Sequence, residues 1–150
     1  MVTVYDVPPN RLIDELKEEL KDNENIEYPQ WAKFVKTGVH KEEAPMQDDW
    51  WFKRVSAILR SVYTDGPIGI SKLRGKYGGR QATGVRPKHA AKGSGSVIRE
   101  SLQQLENAGL IKKTDEGRIV TPDGQSLLDN LSYDIMKDMA KDNPELSKYL

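Results

Sequence analysis

Asp48-Asp49-Trp50-Trp51-Phe52-Lys53-Arg54-Val55-Ser56-Ala57-Ile58-Leu59-Arg60-Ser61-Val62-Tyr63 is the stretch on which the fold turns. At 100° per residue, Trp51, Phe52, Val55, Ile58, Leu59 and Val62 share an arc of roughly 120°, the pattern of an amphipathic helix running from about Asp49 to Tyr63. Lys53 and Arg60 take the opposite face and Arg54 a shoulder. Asp48 and Asp49 stand at the start, where carboxylates meet the positive end of the helix dipole. The apolar stripe reads as core, with Trp50 or Trp51 as large buried anchors rather than as platforms for stacked bases. The basic stripe opposite is the candidate functional face.

Toward the N-terminus, Pro9 to Leu20 reads as a helix with Ile13, Leu16 and Leu20 inward and Asp14, Glu15, Glu18 and Glu19 outward. A short second helix is expected after Tyr28, starting at Pro29 with Trp31, Phe34 and Val35 inward and stopping at Gly38. Lys41 to Gln47, interrupted by Pro45, reads as a loop. Toward the C-terminus, the turn Asp65-Gly66-Pro67 leads into a short helix from Ser71 to Tyr77, with Ile70, Leu73 and Tyr77 inward and Lys72, Arg74 and Lys76 outward. Gly78 to Gly95 has almost no apolar content and reads as a long functional loop, mobile alone and ordered by a polyanion. Ser94 or Ser96 caps a helix reaching Asn107, with Val97, Ile98, Leu102 and Leu105 inward. Leu110 to Thr114 and Arg118 to Thr121 flank Asp115-Glu116-Gly117 as a short β-hairpin. Thr121-Pro122 then starts a last helix carrying Leu127, Leu128, Leu131, Ile135 and Met139, and the polar tail beyond Asn143-Pro144 is expected to fray. The 150 residues therefore form one mainly α domain with one short β-hairpin around a central amphipathic helix.

Lysine plus arginine and aspartate plus glutamate both number 23, so the chain is formally neutral, but the signs are segregated. From Lys53 to Arg99 eleven basic residues oppose the single Asp65, a net charge of +10; the remaining twelve basic and 22 acidic residues give −10. A solvated surface usually mixes its signs, and a one-sign field steers a charged partner. Glycine, serine and histidine interleave with the arginines, and such groups bind phosphate through side chain or bare backbone, which argues against a chance run of solvated lysines. The candidate contacts are Lys53, Arg54, Arg60, Lys72, Arg74, Lys76, Arg80, Arg86, Lys88, His89, Lys92 and Arg99.

No apolar stretch approaches the ~18 residues a membrane span needs, and Met1 to Pro9 lacks the pattern of a secretory signal. Without cysteine there is no disulfide, thiolate nucleophile or thiolate metal site, and the expected compartment is the cytosol. Gly93-Ser94-Gly95 precedes a helix and could hold a phosphate, but it follows no strand and is not a P-loop. His40 and His89 lack a second ligand at metal spacing; His89 beside Lys88 fits an RNA-contacting or loop-packing residue better than a general base. Glu42-Glu43 and Asp48-Asp49 read as solvated loop residues, so no enzyme, cofactor or metal is implied.

Helix, turn, helix, loop, helix, hairpin is the order of a winged helix domain. Its third helix, Ser96 to Asn107, makes a poor recognition helix, because Arg99 is its only basic residue and Glu100 and Glu106 accompany it. Charge lies instead on the two preceding helices and the glycine-arginine segment, which suits an irregular RNA surface followed by shape and phosphates. The alternative is a winged-helix DNA-binding transcriptional regulator, which would act as a dimer; no apolar dimerisation segment is evident, and a monomer is expected.

Asp49-Trp50-Trp51-Phe52-Lys53-Arg54 with Ile58-Leu59-Arg60, Tyr77-Gly78-Gly79-Arg80, Gly93-Ser94-Gly95-Ser96, Leu102-Gln103-Gln104-Leu105-Glu106, and Gly117-Arg118 with Thr121-Pro122-Asp123-Gly124-Gln125 form an ordered series. With Pro29-Gln30-Trp31 and His40-Lys41-Glu42, it resembles small-subunit ribosomal protein nineteen of the archaeal and eukaryotic type, not the bacterial protein of the same number. The resemblance implies a mostly helical, winged-helix-like fold bound in the head of the small subunit, with ribosomal RNA and neighbouring small-subunit proteins as partners. It also implies a cytoplasmic ribosomal location and a role in subunit maturation. RNA contacts carry over to Arg54, Arg60, Arg80 and Arg99, where the motif matches. The family is usually basic throughout, and the acidic ends of this chain assign its first and last helices to solvent.

Overall fold

A computed structural model describes all 150 residues. The helices are α1 (Pro9–Lys21), α2 (Trp50–Asp65), α3 (Ile70–Lys76), α4 (Gly95–Asn107) and α5 (Pro122–Asp142). Two antiparallel ribbons complete the fold, β1 (Gly79–Thr83) with β2 (Arg86–Ala91) and β3 (Ile111–Thr114) with β4 (Gly117–Val120). The fold is mainly helical, as the periodicities predict.

α2 is central because its apolar arc meets α1, α4 and β4. α1 lies along it and also contacts α5; α4 lies along it and also contacts α3 and β3; β4 closes one end. Trp51, Val55, Ile58 and Leu59 are fully buried, with Leu12, Leu16, Leu73, Ile98, Leu102, Leu105 and Leu128 around them. Trp50 is buried as well, edge-on to Trp51 at 5.7 Å. The Trp51 indole N–H donates to Gln104 Oε1 at 3.0 Å, and the Gln104 amide donates to the Glu27 carbonyl at 2.9 Å. One buried polar side chain thus ties the segment before α2 to α2 and α4, and truncating Trp51 to alanine would cost about 3–5 kcal/mol.

Four sequence expectations are corrected. Gly78 to Gly95 is not an open loop: most of it pairs as the β1–β2 hairpin, so the chain has two ribbons rather than one. Its alternating side chains gave no strand signal because neither face packs on a core, and nearly all of Arg80 to Lys92 is exposed. The short helix after Pro29 is a single 3-10 turn, Gln30–Lys33, which leaves Phe34 85% exposed instead of inward. From that segment Ala32 is buried in the core, and the Trp31 ring, 36% exposed, stands edge-on to Trp51 at 5.8 Å. Asp49 stands at the N-cap of α2, as the helix-start reading expects, but it is not a solvated loop residue: it receives Lys17 at 2.9 Å and Lys21 at 3.2 Å, clamping α1 to the start of α2. Those ammonium groups hold its carboxyl below the usual range. The C-terminal tail does not fray entirely, since Pro144–Tyr149 winds into a 3-10 helix against α5 with Leu146 packed on the core.

Candidate nucleic-acid interface

The uncovered side of α2 carries Lys53, Ala57, Arg60 and Thr64 at helical spacing, with Lys53 exposed and Arg60 half-buried. Arg54, on the shoulder, is drawn inward. Its guanidinium stacks 4.5 Å over the Tyr77 ring, and burial holds it below its ordinary pKa, an effect the Tyr77 phenol opposes. The Tyr77 hydroxyl meets Ser61 Oγ at 3.2 Å, so Arg54, Tyr77 and Ser61 lock the end of α3 onto α2. Arg60 Nε is buried without a partner, which leaves its charge uncompensated by the protein.

From Tyr77 the chain enters β1. The ribbon pairs Gly79 with Ala91, Arg80 with Ala90 and Gln81 with His89, and its register shifts between Gln81 and Thr83. Arg80, Arg86, Lys88, His89 and Lys92 are all exposed on it. The root of the ribbon is fixed to the body. Gly93 donates its N–H to the Arg74 carbonyl at 2.8 Å and accepts at its own carbonyl from Arg74 Nε at 3.0 Å. Ser94 donates its N–H to the Thr37 carbonyl at 2.9 Å, and its hydroxyl accepts from Val97 N–H, capping α4. Arg99 lies exposed in the next turn.

Net charge separates this segment from the rest of the molecule. Outside it, where 22 carboxylates accompany twelve cations, Lys17, Lys21, Arg118 and Lys141 form ion pairs and the other eight cations do not. Inside it, Lys76 bonds Asp65 at 3.0 Å, and none of the other ten cations has a carboxylate within 4.0 Å. Arg54 through Tyr77, and Arg74 through Gly93, are tied to the base of the ribbon. Lys72 stays exposed on α3, and Lys76 is turned to the carboxylate at the end of α2.

Sequence reasoning missed Lys36 and Lys41. Gly38 pairs with Gly93 as an isolated antiparallel bridge, which carries the 36–41 segment to the root of the arm. Lys41 shares an open cavity of about 450 Å³ with Lys53 and Arg54. His40 also reaches the root of the arm, half-buried, its ring against Gly38 and Gly79. No linear spacing announces these neighbours. There is no group of three or more histidine, cysteine, aspartate or glutamate side chains that could hold a metal. No helix is long and apolar enough to cross a membrane.

Residues 3–138 match the family described as ribosomal protein S19e. Among curated relatives, small ribosomal subunit protein eS19 of Haloarcula marismortui is 48% identical over 154 residues, covering 99% of both chains. Its namesake in Thermoplasma volcanium is 45% identical over 150 residues and the full length of both. Small ribosomal subunit protein eS19B of Schizosaccharomyces pombe is 40% identical over 138 residues, covering 91% of this chain and 96% of its own.

Proposed function

The chain belongs to the ribosomal protein S19e family, a family of ribosomal structural proteins rather than enzymes, and from that premise we propose that it is a constituent of the cytoplasmic small ribosomal subunit, where it binds ribosomal RNA and assists subunit assembly. The observation that carries the RNA reading is that Asp65 alone opposes eleven cations between Lys53 and Arg99 and pairs with Lys76, leaving ten with no other carboxylate in their own segment and none within 4.0 Å. Phosphates are the counterions that such a set lacks, and releasing condensed cations from RNA drives their association. In this reading Arg80, Arg86, Lys88, His89 and Lys92 reach along the arm, Lys53, Arg60, Lys72 and Arg99 meet the backbone from the body, and Arg54, Arg74 and Lys76 act partly through the contacts that position the arm. Neighbouring small-subunit proteins are the remaining partners, and the free protein is a monomer.

The winged-helix-like arrangement is part of the same reading, with α3 and α4 as the helix pair and β3–β4 as the wing. α4 would be the recognition helix, yet it offers Arg99 beside Glu100 and Glu106, a poor match to a major groove. That composition favours folded RNA over duplex DNA. Affinity for a small-subunit ribosomal RNA fragment should fall with salt, with a log–log slope of about −0.7 to −0.9 per neutralised phosphate. A flat salt response, or a sharp footprint of a dimer on duplex DNA, would overturn the reading. Arg60→Glu should block incorporation into subunits while circular dichroism stays native.

A further inference from the structure

We propose that the cleft between the 31–36 segment and the first turns of α4 binds a single unpaired guanine nucleotide of the RNA. The proposal rests on the RNA-binding reading above and adds a site and a base preference to it. The cleft holds about 430 Å³, within the range of small-ligand sites, and its walls combine three kinds of group. Trp31 and Val35 supply the apolar wall. Trp31 is 36% exposed, and its ring stands at 87° to that of the fully buried Trp51, so it is braced from the core side while part of it faces solvent. A braced, half-open indole is a stacking platform for a base pulled out of a helix. Lys36 and Arg99 supply positive charge, and neither has a carboxylate partner.

The third component is Glu100, half-buried in the same cleft and free of any ion pair although two cations line it. A carboxylate beside a stacked base selects by donor pattern. Guanine alone presents two donors side by side, N1–H and the N2 amino group, to the two carboxylate oxygens. Adenine and cytosine set a ring acceptor beside their amino group, and uracil flanks its one donor with carbonyls; each brings an acceptor toward the carboxylate. Lys36 and Arg99 then neutralise the phosphate that accompanies the base.

The test uses the full chain and three hexanucleotide RNAs: an all-uridine strand, the same strand with one central guanosine, and the same strand with one central adenosine. Fluorescence anisotropy should show the guanosine strand binding about tenfold more tightly than either of the others. Glu100→Ala should erase that preference, and Lys36→Glu should weaken all three. Trp31→Ala removes the platform, but Trp31 also packs on Trp51, so the two surface variants carry the test if it fails to fold. Equal affinities for the three strands, or a guanosine preference surviving in Glu100→Ala, overturn the proposal. If wild-type protein still binds the ribosomal RNA fragment with a steep salt slope, only the cleft falls. If it binds no RNA, the underlying reading falls as well.

Discussion

The two ribbons of this molecule have the same topology and opposite settings. β3–β4 is built into the body. Ile68, just after α2, exchanges backbone hydrogen bonds with Arg118, Ile111 is buried, and Arg118 Nε donates to Glu106 of α4 at 3.2 Å. β1–β2 is held only at its root, and its exposed length carries cations with no carboxylate near them. A two-stranded ribbon is marginal on its own in water. β3–β4 is secured by α2, α4 and α5, whereas β1–β2 relies on its own ladder and the anchor at Gly93. One ribbon therefore serves the core, and the other is left free to meet a polyanion.

Substitutions can break this contrast, and the largest effect is expected at Gly117 in the turn of β3–β4. Its φ of +135° disfavours any side chain, and an added Cβ would stand 2.8 Å from the Ile68 backbone. Gly117→Val should cost about 3 kcal/mol or more, seen as a large drop in thermal midpoint. Next comes the paired change Arg86→Glu with Lys88→Glu. It should leave the thermal midpoint within a degree or two, yet reduce affinity for the ribosomal RNA fragment and lower the magnitude of its salt slope by about 2. An unchanged slope would show that the arm does not touch phosphate. Arg118→Ala removes the half-buried pair with Glu106 and should cost about 1 kcal/mol in denaturant unfolding, without altering RNA affinity. The smallest effect belongs to Gly84 at the tip of β1–β2, where φ is +74° but no atom lies within 4 Å of an added Cβ. Gly84→Ala should cost only about 1 kcal/mol, the left-handed penalty with no clash added to it. A loss as large as that at Gly117 would mean that the arm is integral to the core.

Much of this was legible in the residues. The α2 arc, the Leu16 and Leu20 stripe of α1, the Thr121-Pro122 start of α5 and the β3–β4 turn all carry local signals, and the structure has them. The β1–β2 ribbon was not legible, because strand alternation shows in a sequence only when one face is buried. Phe34 misled for a related reason: helical spacing was read from Trp31 onward, but the helix stops after one 3-10 turn and the ring is left in solvent. In the candidate interface, eight of the twelve proposed residues rest on charge and loop chemistry, and Arg54, Arg60, Arg80 and Arg99 rest on the family resemblance as well. The roles of Arg54 on Tyr77, Arg74 on Gly93 and Lys76 on Asp65 depend on partners 11 to 23 positions away in the chain.

The amino-acid order alone settled the central helix and the separation of positive middle from negative ends, since periodicity and net charge are properties of consecutive residues. Folding decided which cations remain without a carboxylate, and it brought Lys36 beside Arg99 and Lys41 beside Lys53. Such pairings arise when distant backbone segments come within hydrogen-bonding reach, as Gly38 and Gly93 do, and no local pattern encodes that distance.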